Sequence, residues 1–185
     1  MSRVDSHSGD LFPLDTALRG IRERFADAVI DADRTSMRER TVVVPAERLA
    51  ELADALAHEW GGSLVTLFGL DERATHGRFR LHVVFTMAPE DALVTLVAAV
   101  PEFAPRYPSI ARVLPAASEL ERELQDLLGV HADGHPDPRR ILMPDEWQGH
   151  PQRKDYPLEG PGELLLESPT EWLKLRQARE EADIE

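Results

Sequence analysis

Three sets of side chains between residues 118 and 157 have the types and spacing to do chemistry. His131, His135 and His150, with Asp133 and Asp137, carry metal-donor atoms. His131 and His135 have the i, i+4 spacing that puts two imidazoles on one helix face. Gly134 and Pro136 break any helix there and remove that geometry. A zinc-dependent hydrolase is therefore the lesser alternative, against histidines hydrogen-bonded within an irregular segment. Glu121, Glu123 and Asp126 could pair as general acid and base. A charged helix stripe of this kind equally makes a solvated or salt-bridged face. Arg139, Arg140, Arg153 and Lys154 stand among prolines, Trp147 and Tyr156. Arginine forks match carboxylates at buried interfaces, and arginine with aromatics is the usual composition of interface anchors. Their alternative partners are the chain's own acids. No serine sits in a nucleophile elbow.

These residues ride on a helix followed by a long strap. Ser118 and Glu121 read as a capping box opening the helix, with Leu120, Leu124, Leu127 and Leu128 inward and Gly129 as its left-handed stop. Glu119, Arg122 and Asp126 line a neighbouring stripe, where Arg122 could bridge two carboxylates. Beyond Gly129 the apolar periodicity is lost among Gly134, Gly149, Pro136, Pro138, Pro144 and Pro151. Such a segment cannot bury a face of its own and must be laid down on something. On composition it is expected to be protease-sensitive in the free protein.

The preceding elements would supply the platform. After a leader over 1–13, Leu14, Leu18, Ile21, Phe25 and Val29 recur at helical spacing, predicting a helix that ends around Asp31 to Arg34. Thr41 to Val44 read as a strand, and Pro45 suits the first position of the next helix, which buries Leu49, Leu52 and Leu56 and stops at Gly61 and Gly62. Ser63 to Leu70, Arg78 to Met87 and Leu93 to Val100 are further strands, the second with clean alternation. Pro101 to Pro115 reads as extended linker. Pro157 to Leu166 is another extended piece, and Ser168 to Glu171 cap a short terminal helix starting at Trp172. The predicted class is α+β: a small mixed sheet with helices on one face, then a Gly/Pro-rich strap and a short terminal helix. The expected organisation is leader 1–13, α+β domain 14–128, docking strap 129–158 and tail 159–185.

Composition limits the function. The chain has 185 residues, suits one domain with a tail, and carries a net charge of −13. The strap over 134–158 is neutral, with four acids and four bases, inside this acidic protein. Acidity argues against phosphate-backbone binding, so no nucleic acid is expected. The absence of cysteine excludes disulfides, thiolate-held iron–sulfur clusters and thiol nucleophiles, and it fits a reducing compartment. No apolar run approaches a membrane span, and the N-terminus has no signal-peptide core. A cytoplasmic location without direct membrane insertion follows as the expectation. No glycine-rich phosphate loop follows a strand.

The ordered string Glu121-Arg122-Glu123, Asp126-Leu127, Gly129, Gly134-His135-Pro136-Asp137, Arg139-Arg140-Ile141-Leu142, Trp147, Gly149-His150-Pro151 and Arg153-Lys154-Asp155-Tyr156-Pro157 resembles one family closely. It is the 30-kDa subunit family of respiratory complex I, NADH:quinone oxidoreductase. Energy-converting membrane-bound nickel–iron hydrogenases have a homologous subunit or domain. The Thr41–Pro45 strand and following helix also resemble that family, so the likeness covers about residues 14–158. It implies a scaffold with no cofactor, catalytic residue or metal ligand of its own, lying in the complex's hydrophilic arm on the cytoplasmic membrane face. Its partners would be the large quinone-site subunit and the iron–sulfur subunits. Its interface would be built from Glu121, Arg122, Glu123, Asp126, His135, Asp137, Arg139, Arg140, Trp147, His150, Arg153, Lys154, Asp155 and Tyr156, with the cations as anchors. Two departures, Ser118-Glu119-Leu120 in place of an aromatic pair and Pro138 in place of leucine, point toward the alternative, the equivalent subunit of a hydrogenase or formate hydrogenlyase-type complex.

Overall fold

A computed structural model of the chain describes residues 13–26, 31–33, 38–88 and 91–157. Helix α1 (Pro13–Arg24) opens on proline, whose fixed φ suits a first turn, and buries Leu14, Ala17 and Ile21 along one stripe. It stops before the expected end at residues 31–34. Phe25 turns in beside Trp60, ring centroids 6.5 Å apart and nearly perpendicular, and Asp31–Asp33 forms a short strand β1 instead. That strand pairs antiparallel with β2, whose backbone groups offer partners a longer helix would have left open. Val29 lies outside the described residues.

Strand β2 (Glu39–Pro45) leads through one 3₁₀ turn into helix α2 (Leu49–His58). Pro45 caps that turn at φ −58°, and Leu49, Leu52, Ala53 and Leu56 form the buried stripe. Strand β3 (Gly62–Asp71), a single-turn helix α3 (Arg73–His76) and strands β4 (Arg78–Met87) and β5 (Ala92–Pro101) complete the main sheet. Its order is β1-β2-β5-β4-β3, with β2 and β5 parallel and the other neighbours antiparallel. The alternation read in β4 is realised: Phe79, Leu81, Val83, Phe85 and Met87 are buried and the intervening residues are half-exposed. They share one core cluster with Val94, Leu96 and Ala98 of β5 and with the stripes of the helices. A fully buried side chain of this size contributes about 1.5–3 kcal/mol, so this row is a substantial part of the core. On the opposite face Phe68 stacks flat on His82 at 4.8 Å.

The stretch from Pro101 to Pro115 is more than linker. Arg106–Pro108 forms strand β6, which runs parallel to β7 (His131–Asp133) in a second, two-stranded sheet. Its prolines prevent a longer ladder, yet Tyr107 and Ile110 are fully buried and tie it to the core. Helix α4 (Ser118–Leu128) lies across β3, where the missing side chain of Gly69 makes room for Leu124 and Leu128. Gly129 ends it at φ +70°, as its sequence position required. The terminal helix expected from Ser168 lies outside the described residues.

Candidate functional site

The expected capping box at Ser118 and Glu121 is absent. Ser118 is already helical (φ −57°, ψ −51°), and Glu121 turns away from its own helix start. Its carboxylate, 1% exposed, accepts the Ser109 hydroxyl at 2.6 Å and the backbone N–H groups of Ile110 and Ala111 at 2.6 and 3.2 Å. The 109–111 turn has no ladder for those donors, and a buried ion that meets them outcompetes a cap that water can supply. Beside it the Tyr107 hydroxyl is held well above its ordinary pKa, first by burial and then by the Glu121 charge.

Asp126 is the fastening point of the strap. It is 2% exposed and accepts N–H groups from Ile141, Leu142 and Met143 at 3.2, 2.8 and 2.8 Å, with Arg140 Nη1 at 2.5 Å. Burial works against its charge, but the Met143, Leu142 and Ile141 amides and the Arg140 guanidinium outweigh it and hold the carboxyl below its usual range. Arg122 does not bridge helix carboxylates. It donates to the carbonyls of Arg139 and Arg140, both at 3.0 Å, and lies 3.7 Å from Asp137, while Gln125 reaches the Pro138 carbonyl at 2.9 Å.

The end of α4 supplies the second fastening. A helix leaves its last carbonyls without intrahelical partners and carries a partial negative charge there. Strap donors meet those carbonyls in turn: His150 Nδ1 to Asp126 at 3.0 Å, the Gln152 N–H to Leu127 at 3.0 Å and Arg153 Nε to Leu128 at 2.7 Å. Arg153 also lies over the Phe79 ring at 5.5 Å. A side chain on Gly129 would collide with both Arg153 and His150, so this residue must be glycine for closeness as well as for φ. The third fastening is at β3, where Asp71 accepts the Lys154 N–H at 2.9 Å and Arg73 at 2.8 Å, and Arg73 also pairs with Asp155. Arg73 holds the Asp71 carboxyl far below its usual range.

The strap is thus laid on its own domain, and two expected outward anchors, Arg140 and Arg153, are spent inside the chain. Arg139 remains at the surface, 80% exposed, paired with its neighbour Asp137. Glu123 and Lys154 are exposed, and Trp147 is half-buried. Tyr156 donates to the Gln148 carbonyl at 3.1 Å. His135 is buried; its Nδ1 accepts the Asp137 N–H at 3.0 Å, so its Nε2 proton points to the Ser118 carbonyl at 3.1 Å. His131, His135 and His150 do not converge, and among the described residues no group of three or more histidines and acids is placed to hold a metal. Asp71, Arg73, Ser109, Gln125 and Gln152 were not singled out in the sequence, because each acts through a backbone group or a partner distant in the chain.

Acid should loosen these fastenings. Asp126 and Asp71 have folded pKa values below their unfolded ones, so their stabilisation is present above about pH 4 and lost as the pH falls through the folded values. His150 is also lowered, chiefly by burial. The unfolded chain therefore takes that proton first below about pH 6.5, and stability declines in the same direction. Hydrogen exchange at the Ile141 to Met143 amides, corrected for the intrinsic pH effect, should accelerate relative to β4 between about pH 7 and about pH 3.5. Unchanged relative protection would show that these groups do not hold the strap.

The family described as respiratory-chain NADH dehydrogenase, 30 Kd subunit, matches residues 42–162. The chain is 38% identical to an NADH-quinone oxidoreductase subunit of Geobacter metallireducens over 144 residues, 77% of this chain and 88% of that one. It is 33% identical to hydrogenase-4 component G of Escherichia coli over 141 residues, 75% of this chain but 25% of that protein. A solved structure of a trypsin-resistant fragment of Nqo5 superposes with a TM-score of 0.55 at 27% identity, covering 68% of this chain and 99% of the fragment.

Proposed function

Because the chain belongs to the respiratory-chain NADH dehydrogenase 30 Kd subunit family, we propose that it is a cofactor-free scaffold subunit of the peripheral arm of a proton-pumping NADH:quinone oxidoreductase. In this reading it docks the large quinone-site subunit near the iron–sulfur subunits and is held peripherally at the cytoplasmic face of the membrane. Among the described residues no helix is long and apolar enough to cross a membrane. With no cysteine in the sequence, any thiolate-held cluster belongs to a partner.

One observation carries the docking reading. Asp126 holds the backbone of Ile141 and Leu142 rigid while their side chains stay 37% and 57% exposed, beside Arg139. An apolar pair fixed from behind and flanked by an arginine is a pre-organised anchor, and little entropy is lost when it is covered. The length of hydrogenase-4 component G supports close association with a larger body, since there the matching region is joined to three times as much further chain.

The test is a pair of substitutions, Ile141→Asp with Leu142→Asp, in the tagged full chain. Loss of an anchor of about 2 kcal/mol should lower recovered complex roughly 30-fold while the melting of the isolated chain stays close to that of the parent. Arg19→Ala on α1 is the control and should change neither. Normal assembly of the double variant would place the docking surface elsewhere.

The identity with hydrogenase-4 component G favours a second reading, the equivalent subunit of a membrane-bound hydrogenase or formate hydrogenlyase-type complex. Purifying the native complex through this chain separates the two. Quinone-linked NADH oxidation supports the first reading, and hydrogen evolution or formate oxidation supports the second.

A further inference from the structure

Phe103 is 87% exposed, and no other large apolar side chain among the described residues exceeds 57%. Its backbone is nonetheless fixed. The Glu102 N–H donates to the Gly77 carbonyl at 3.1 Å, the Ala104 N–H to Pro101 at 3.3 Å and the Arg106 N–H to Ala104 at 2.8 Å. The Pro105 carbonyl accepts the His131 N–H at 2.7 Å, and prolines at 101 and 105 fix φ on either side of the ring. A turn of this kind needs no aromatic, whereas a single exposed ring on a loose loop would need no explanation. A ring held out on a pinned turn loses little entropy when it is covered. That is the usual form of an interface anchor.

The ring stands beside a cleft. The ends of β3 and β5 flank the start of β4, with Asp71 paired to Phe79 and Pro101 to Arg78. Between them and the strap lies an open cleft of about 250 Å³, lined by Asp71, Arg73, Ala74, Glu102, Lys154 and Asp155. Small-ligand sites run to roughly 300–1,000 Å³ and are mostly apolar, so this cleft suits a side chain from another protein better than a metabolite. Arg73 is engaged by Asp71 and Asp155, and Asp71 also accepts the Lys154 N–H. Two charges on the cleft stay unpaired among the described residues, the Glu102 carboxylate on the turn and the Lys154 ammonium on the strap. Only two of the 21 basic residues are lysine, and Lys154 is the one among the described residues. A lysine makes no planar fork; it meets a carboxylate as a mobile point charge and suits the rim of an interface.

We propose that this corner is a second docking contact, at which Phe103 enters an apolar socket of a partner protein that presents a carboxylate to Lys154 and a base to Glu102. The proposal rests on the reading of the chain as a docking subunit and adds to the contact at Ile141 and Leu142. The scarcity of lysine makes its test specific. The complex is purified through the tagged full chain and treated with a carbodiimide, which joins an amine directly to a carboxylate. Lys154 should be recovered in a peptide joined to another subunit. Lys154→Arg, which keeps the charge but not the amine, should abolish that product. Phe103→Ser should lower recovered complex at least about tenfold. Melting of the isolated variant should be unchanged, because the ring lies outside the core. Normal assembly of Phe103→Ser, or absence of the Lys154 product, overturns the inference. The docking reading still stands in that case if Ile141→Asp with Leu142→Asp fails to assemble. A Lys154 product confined to one chain, or joining two copies of it, also overturns the inference, since the cleft then serves this chain alone. Recovery of the chain without any partner sinks both readings together.

Discussion

Asp126→Ala should release the strap from an otherwise folded domain. The substitution strands the Arg140 guanidinium, 22% exposed, and leaves the N–H groups of Ile141, Leu142 and Met143 without their acceptor. Removing one partner of a buried, hydrogen-bonded charge pair costs about 3–5 kcal/mol, because the remaining groups stay desolvated. The sheet core of Phe79, Leu81, Val83 and Phe85 does not depend on Asp126, so the loss appears as local opening. Exchange of the Ile141 to Met143 amides should rise at least about a hundredfold, and trypsin should cut at Arg139, Arg140 and Arg153 while β4 stays protected. Arg140→Ala should act in the same direction and more weakly, since Asp126 keeps three backbone donors. Arg139→Ala removes only a surface pair with Asp137 and should leave the strap in place. A strap that remains protected in Asp126→Ala would mean that the α4 carbonyls and Asp71 suffice to hold it.

The second large effect is expected at Glu121. Glu121→Ala removes the acceptor from the Ser109 hydroxyl and from the Ile110 and Ala111 amides, all buried. Each donor left unsatisfied costs about 1–3 kcal/mol unless water enters. Ile110 and Tyr107 belong to the main core cluster, so the damage spreads into the domain rather than into the strap. The melting temperature of the isolated chain should drop by more than for Arg140→Ala, and the raised Tyr107 ionisation should return toward its ordinary value as the negative charge is lost. Glu121→Gln keeps one carbonyl acceptor without the charge and should fall between. If Glu121→Ala melts like the parent while the strap opens, the two buried carboxylates of α4, Glu121 and Asp126, have their roles reversed.

Exchange on β4, the reference in the Asp126 prediction, rests on what the sequence alone could establish. Alternation in Arg78 to Met87 fixes which face is buried, because side chains on a strand repeat with period two. The stop at Gly129 was legible because only glycine tolerates φ +70° without strain. The string from Glu121 to Pro157 was legible as a family resemblance, and the family match covers it. By contrast, α1 ends at Arg24 and Asp31–Asp33 pairs with β2, a strand partner that no local helical pattern reveals. Ser118 and Glu121 had the spacing of a capping box, and the box lost to Ser109, Ile110 and Ala111, which tertiary folding brings under the helix. Arg140 and Arg153 had the composition of outward anchors. Their destinations, the Asp126 carboxylate and the Leu128 carbonyl, became available only once α4 lay on β3 and the chain doubled back over it. Sequence spacing determines what a side chain can bond locally. Which buried charge or open helix end claims it is decided by desolvation, and that depends on the whole fold.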